Sequence, residues 1–139
     1  RPGPYANDES PVIRKWRLAA EEQPGIVPSG KAPWLPAYSM VNGELPAADL
    51  DLGKVVYARG YIDILVAGNL KLQINDIKGL RLWVEGEEMV DLTRPIHLGK
   101  GRKTLTFGVD RAKRGKTGLR VELIQFPGSA AKFKPVGGI

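Results

Sequence analysis

Gly68-Asn69-Leu70-Lys71-Leu72-Gln73-Ile74-Asn75-Asp76-Ile77-Lys78-Gly79-Leu80-Arg81-Leu82-Trp83-Val84-Glu85-Gly86-Glu87 decides the fold. Leu70, Leu72 and Ile74 alternate with Lys71, Gln73 and Asn75, and Leu80, Leu82 and Val84 alternate with Arg81 and Trp83. A period of two puts the apolar set on one face of a strand and the polar set on the other. Asn75 to Gly79 reads as the loop between two such strands, and Glu85-Gly86-Glu87 as a hairpin turn into a short strand through Met89 and Val90.

The same grammar extends in both directions. Upstream, Val55 to Val66 is one long run of β-branched and aromatic residues. Gly60 in its middle predicts a bulge or bend that lets one strand serve two sheets. Downstream come Ile96-His97-Leu98, a Gly99-Lys100-Gly101 turn, a strand over Thr104 to Val109 and a last alternation through Leu119, Val121 and Leu123. About seven strands separated by turns predict an all-β fold, an antiparallel β-sandwich of jelly-roll type. The sandwich domain is expected over 37–128. The first third holds most of the 11 prolines, so 1–36 reads as an irregular Pro-rich arm or linker, and 129–139 as a C-terminal tail. Two readings of the arm stay open. Ser10-Pro11 starts a short helix carrying Val12, Trp16 and Ala19 or Ala20, or Val12, Arg14, Trp16 and Leu18 alternate against Ile13, Lys15 and Arg17 in extended chain.

Composition narrows the chemistry. With 139 residues, 42% apolar and 26% charged, the chain is of ordinary single-domain size, and its apolar stretches are too short to cross a bilayer. There is no cysteine and one histidine, His97, in a strand beside a proline. That inventory leaves no thiolate nucleophile, no His-pair zinc site and no partner set for acid–base chemistry, so a non-enzymatic module is expected. The chain starts at Arg1 and reads as a processed product or an excised piece of a longer polypeptide.

A net charge of +6 favours anionic partners. Lys100, Arg102 and Lys103 form one basic cluster, and Arg111, Lys113, Arg114 and Lys116 a second. Both fall at predicted hairpin ends, where they offer contacts to nucleic acid or acidic glycan. Trp83 and Tyr61 are candidate aromatic platforms for a sugar or a base. Asn75-Asp76, near Glu85, Glu87, Glu88 and Asp91, supplies oxygens of the kind calcium takes.

The runs Gly79 to Glu87, Ile96 to Leu98, Gly101 to Thr106 and Gly118 to Leu123 resemble the protective-antigen-like β-sandwich module, whose hairpin reads D-D-G-x-x-L-W-[VI]-[DN]-G. The likeness covers roughly Val55 to Phe126. In lectin members of that family an Asp-Asp pair before the hairpin holds calcium, and the matching positions are Asn75 and Asp76, followed by the bulkier Ile77-Lys78. Asn42 to Pro46, the Leu80 to Gly86 hairpin and the close from Arg120 to Gly138 are further similar to a terminal module of large planctomycete-type haem-binding proteins. Haem there sits on a separate C-x-x-C-H segment. The resemblance therefore implies a periplasmic or extracellular accessory domain of a cytochrome-like multidomain protein, contacting other domains, subunits or glycans, with no cofactor of its own beyond calcium at Asn75 and Asp76.

Overall fold

A computed structural model describes residues 11–136. Ten strands pack as two antiparallel sheets, the sandwich that the alternating runs predict. They are β1 (Lys15–Ala20), β2 (Leu35–Tyr38), β3 (Val55–Val66), β4 (Gly68–Ile74), β5 (Leu80–Val84), β6 (Glu87–Met89), β7 (Ile96–Leu98), β8 (Gly101–Asp110), β9 (Val121–Gln125) and β10 (Lys132–Pro135). The larger sheet runs β2-β1-β3-β8-β5-β6, with β10 also on β3, and the smaller runs β7-β4-β9. A single helical turn, α1 (Arg111–Arg114), follows β8, and Asp110 caps it through its carboxylate on the Lys113 N–H.

The core lies between the sheets. Val56, Ala58, Ile62 and Ile64 of β3, Leu105, Phe107 and Val109 of β8 and Leu82 of β5 meet Leu70, Leu72, Val121 and Leu123 of the smaller sheet. Each is the inward half of an alternating strand, and burying each large aliphatic side chain is worth about 1.5–3 kcal/mol. The β5–β6 hairpin turns through Glu85 and Gly86 at φ 50° and 86°, a pairing that suits the twist of a two-residue hairpin.

The structure settles the arm in favour of extended chain. Residues 15–20 form a strand between β2 and β3, with Arg17 opposite Arg59 and Ala19 opposite Tyr57. The helical alternative gives way because Trp16 and Leu18, two apart, both have to reach the core, where they are 1% and 3% exposed. Ser10, the proposed helix cap, lies outside the described residues. Just before β1 the chain pairs with the other sheet: the Ile13 N–H donates to the Val121 carbonyl, and the Leu123 N–H donates to that of Pro11. One segment thus serves both sheets, but it does so around Arg14 and not at Gly60. At Gly60 the β3–β8 register runs unbroken from Val55 to Ile64. The glycine is there for space, since a Cβ would come within 2.9 Å of Ile13 and 3.3 Å of the Trp16 ring.

Residues assigned to the C-terminal tail also enter the sheet. β10 lies along β3, with Lys134 opposite Asp63, and Ala131 is buried. β1 and β10 occupy successive halves of the same edge of β3, one ending where the other begins.

Candidate functional site

The outer face of the larger sheet carries the side chains that alternation turns away from the other sheet, two of which, Tyr57 and Thr106, are nevertheless buried at 1% and 3% exposure. On β3 these are Tyr57, Arg59, Tyr61 and Asp63, on β8 Arg102, Thr104, Thr106 and Gly108, and on β5 Arg81 and Trp83. Register sets them in rows across the strands. One row runs Ala19, Tyr57, Gly108, Arg81, and the next runs Arg17, Arg59, Thr106, Trp83.

Gly108 makes a depression in the first row. Tyr57 and Trp83 lean toward each other above it, ring centroids 5.7 Å apart and tilted by 56°. A Cβ on Gly108 would stand 3.0 Å from Trp83 and 3.2 Å from Tyr57, so the position has to be glycine for both rings to lie as they do. Glu21, Gly25, Asp110 and Lys113 complete a cleft of about 460 Å³ around these residues. Its wall combines aromatic edges with carboxylates, a guanidinium and an ammonium, a lining that matches the mixed apolar and polar surface of a sugar ring.

Hydrogen bonds hold the wall. The Tyr57 hydroxyl donates to Glu21 Oε2 at 3.0 Å, and the same oxygen accepts from the Gly25 N–H at 2.9 Å. Burial, and after it the Glu21 carboxylate, pushes the Tyr57 phenol up to about 12. The folded state therefore keeps the proton that the unfolded chain, titrating near 10, gives up first. Stability from this group is fully present below pH ~10 and is lost as pH rises toward ~12. Tyr57→Phe is expected to flatten that part of the alkaline stability profile, measured by urea unfolding at stepped pH; an unchanged slope would remove Tyr57 as its source. Across the cleft, Arg81 stacks over Trp83 at 4.8 Å and grips both Glu88 oxygens at 2.7 Å. Those two hydrogen bonds hold the Glu88 carboxyl below its ordinary value.

The candidates of the sequence fall in several places. Trp83 is in the cleft, and Lys113 lies on its rim. Tyr61 is on the same face, two rows from Tyr57, beside a smaller depression with Arg102. Lys100, Arg102 and Lys103 stand at one end of β8, and Arg111, Lys113, Arg114 and Lys116 beyond the other. Ten residues of strand put about 30 Å between the clusters, so they form two patches. Arg102 pairs with Asp63 at 3.0 Å and Arg111 with Asp51 at 2.9 Å.

Arg114 is not a surface cation at all. It is 4% exposed, and its guanidinium donates to the carbonyls of Asp76, Lys78 and Gly118 and to Asn75 Oδ1. Burial presses its pKa below the ordinary arginine value. The Asn75 amide also takes the Arg120 N–H, and Asp76 Oδ1 takes that of Lys78. The side-chain oxygen of Asn75 and the carbonyl of Asp76, positions the resemblance offers to calcium, thus receive the protein's own cation. Among the described residues no three His, Cys, Asp or Glu side chains converge as a metal site.

His97, the exposed residue of β7, has its Nδ1 3.1 Å from Asn69 Oδ1 on β4. Glu21, Tyr57, Gly108 and Asp110 are site residues that sequence reasoning missed. Only the alternation of Tyr57 against Val56 and Ala58 carried a trace of them. No helix among the described residues is long and apolar enough to cross a membrane. No protein-family model and no curated protein matches the sequence.

Proposed function

We propose that the chain is a non-catalytic binding module of a larger extracytoplasmic protein, and that it holds glycan in the cleft beside Trp83, over the buried Tyr57 ring that Trp83 packs on. The observation carrying this reading is the glycine floor at Gly108 under two inclined aromatic rings, ringed by Glu21, Arg81, Asp110 and Lys113. Sugars bind on such surfaces because axial C–H groups pack on rings while hydroxyls exchange hydrogen bonds with charged side chains. The extracytoplasmic setting, and service beside a haem-bearing unit, come from the resemblance in the hairpin and closing strands.

A glycan array followed by calorimetry on the hits tests the proposal. Binding is expected to weaken at least ~10-fold in Trp83→Ala, equivalent to about 1.4 kcal/mol. Tyr57→Phe, which retains the ring, is expected to change it less. Glycan binding that ignores Trp83→Ala would move the site elsewhere, and an empty array would leave a scaffold contacting neighbouring domains.

A further inference from the structure

Beside the cleft, the outer face becomes strongly cationic in a way that folding alone does not favour. Arg17 and Arg59 stand directly opposite each other on β1 and β3. Like charges in that position repel and destabilise a sheet. Arg59 is held in place: its guanidinium stacks on the Trp34 ring at 4.4 Å and its Nε donates to Thr106 Oγ1 at 3.0 Å. Arg17 is exposed and, among the described residues, meets no carboxylate. Lys15, two residues away on the same face, lines a depression with Tyr61, and Lys134 stands opposite Asp63. Asp63, paired with Arg102, is the one carboxylate that the register sets among Lys15, Arg17, Arg59, Arg102 and Lys134.

These side chains surround a second depression of about 190 Å³, lined by Lys15, Trp16, Arg17, Tyr61, Arg102 and Val136. Four residues of β3 separate Tyr57 from Tyr61, a distance of about 13 Å that a short oligosaccharide covers. The Arg17–Arg59–Thr106–Trp83 row joins the two depressions.

We infer that the ligand of this face is an acidic glycan, whose sulfate or uronate group sits among Lys15, Arg17 and Arg102 beside Tyr61 while a neighbouring uncharged ring occupies the cleft beside Trp83. The inference rests on the glycan reading above and adds its charge. An oxyanion placed there relieves the Arg17–Arg59 repulsion, and a guanidinium meets a sulfate or carboxylate with two parallel hydrogen bonds. Nucleic acid would meet the same charge, but it carries a phosphate on every nucleotide, and the Glu21 and Asp110 carboxylates of the cleft favour a glycan in which a charged sugar alternates with an uncharged one.

The test is direct titration of the whole chain with a sulfated oligosaccharide free of uronate (keratan sulfate type), a hyaluronan oligosaccharide, neutral dextran and single-stranded RNA, at low and physiological salt. Wild type is expected to prefer an acidic glycan and to lose affinity as salt rises, and the first two ligands tell sulfate from carboxylate. Arg17→Gln combined with Lys15→Gln, both at exposed positions, should weaken acidic-glycan binding at least ~10-fold and flatten its salt dependence. The same variant should bind any neutral glycan as wild type does. Dextran bound as tightly as the acidic sugars, with no effect of the double variant, would overturn this inference and leave the cleft reading intact. RNA bound in preference to every sugar, or no ligand bound at all, would overturn both.

Discussion

Arg114→Leu is expected to lower the unfolding free energy by about 3 kcal/mol, the largest loss from any single basic residue here. The guanidinium supplies the hydrogen bonds of the Asp76 and Lys78 carbonyls and shares those of Gly118 and Asn75. An acceptor stripped of its donor while still shielded from water costs about 1–3 kcal/mol. Asp76 and Lys78 are exposed, so water takes up part of what their carbonyls lose, and leucine also removes a desolvated charge and a buried Nε that has no partner. For a domain of this size the difference appears as a fall in Tm of about 10 °C. Arg114→Lys separates charge from shape. An ammonium keeps the charge but lacks the planar fork, so the lysine variant is expected to recover less than half of the loss. Full recovery with lysine would show that the cation alone organises the 75–79 loop.

The second large effect belongs to Trp16. Its ring meets Phe107 edge-on at 6.0 Å, lies over Gly60, and donates Nε1–H to Ser39 Oγ at 3.0 Å; that hydroxyl in turn donates to the Ile13 carbonyl at 3.1 Å. Trp16→Ala opens a cavity beneath both β1 and β3 and removes the donor to Ser39 Oγ, for an expected cost of about 3–5 kcal/mol. Trp16→Phe keeps most of the apolar contact and should cost clearly less. Trp34→Ala serves as the control in the same melts: that ring packs on the outside, over Arg59, so its loss should stay below about 1 kcal/mol. Equal destabilisation at positions 16 and 34 would contradict the central place given to β1.

How much of this was legible follows from where the signal sits along the chain. β4 and β5, and β8 from Leu105 to Val109, have apolar residues at period two, so strand and inward face could both be read directly, whereas β3 is apolar without a break from Val55 to Ala58 and showed a strand without its face. β1 alternates as well, Trp16 and Leu18 against Lys15 and Arg17, but Val12, Trp16 and Ala19 also suit a helix, and β10 has only Phe133 and Pro135 between its lysines, too short a run to show a period. The pattern of such a strand is complete only beside its neighbour. The site was harder still. Tyr57, Gly108 and Arg81 are neighbours because three strands align, and nothing in the local sequence of any one of them says so. Charge clusters misled for the converse reason. Arg111, Lys113, Arg114 and Lys116 are close in sequence, but α1 turns Arg114 inward while Lys113 and Lys116 face solvent. Gly118 marks that inward turn, since a Cβ there would collide with the Leu45 carbonyl and Glu44, but a lone glycine in a basic loop reads as flexibility.

β10 has a consequence for how copies of this protein meet. It lays four residues along β3, and the Val136 N–H after it still donates to the Tyr61 carbonyl. If it lifts away, the Ile62–Val66 half of β3 becomes an open edge, flanked by the already exposed Leu65 and Val66. The strand with the matching hydrogen-bond register is then the β10 of a second molecule. Reciprocal exchange restores every contact in both partners, so crowding and mild heating would drive the protein toward strand-swapped dimers whose two sandwiches are each intact.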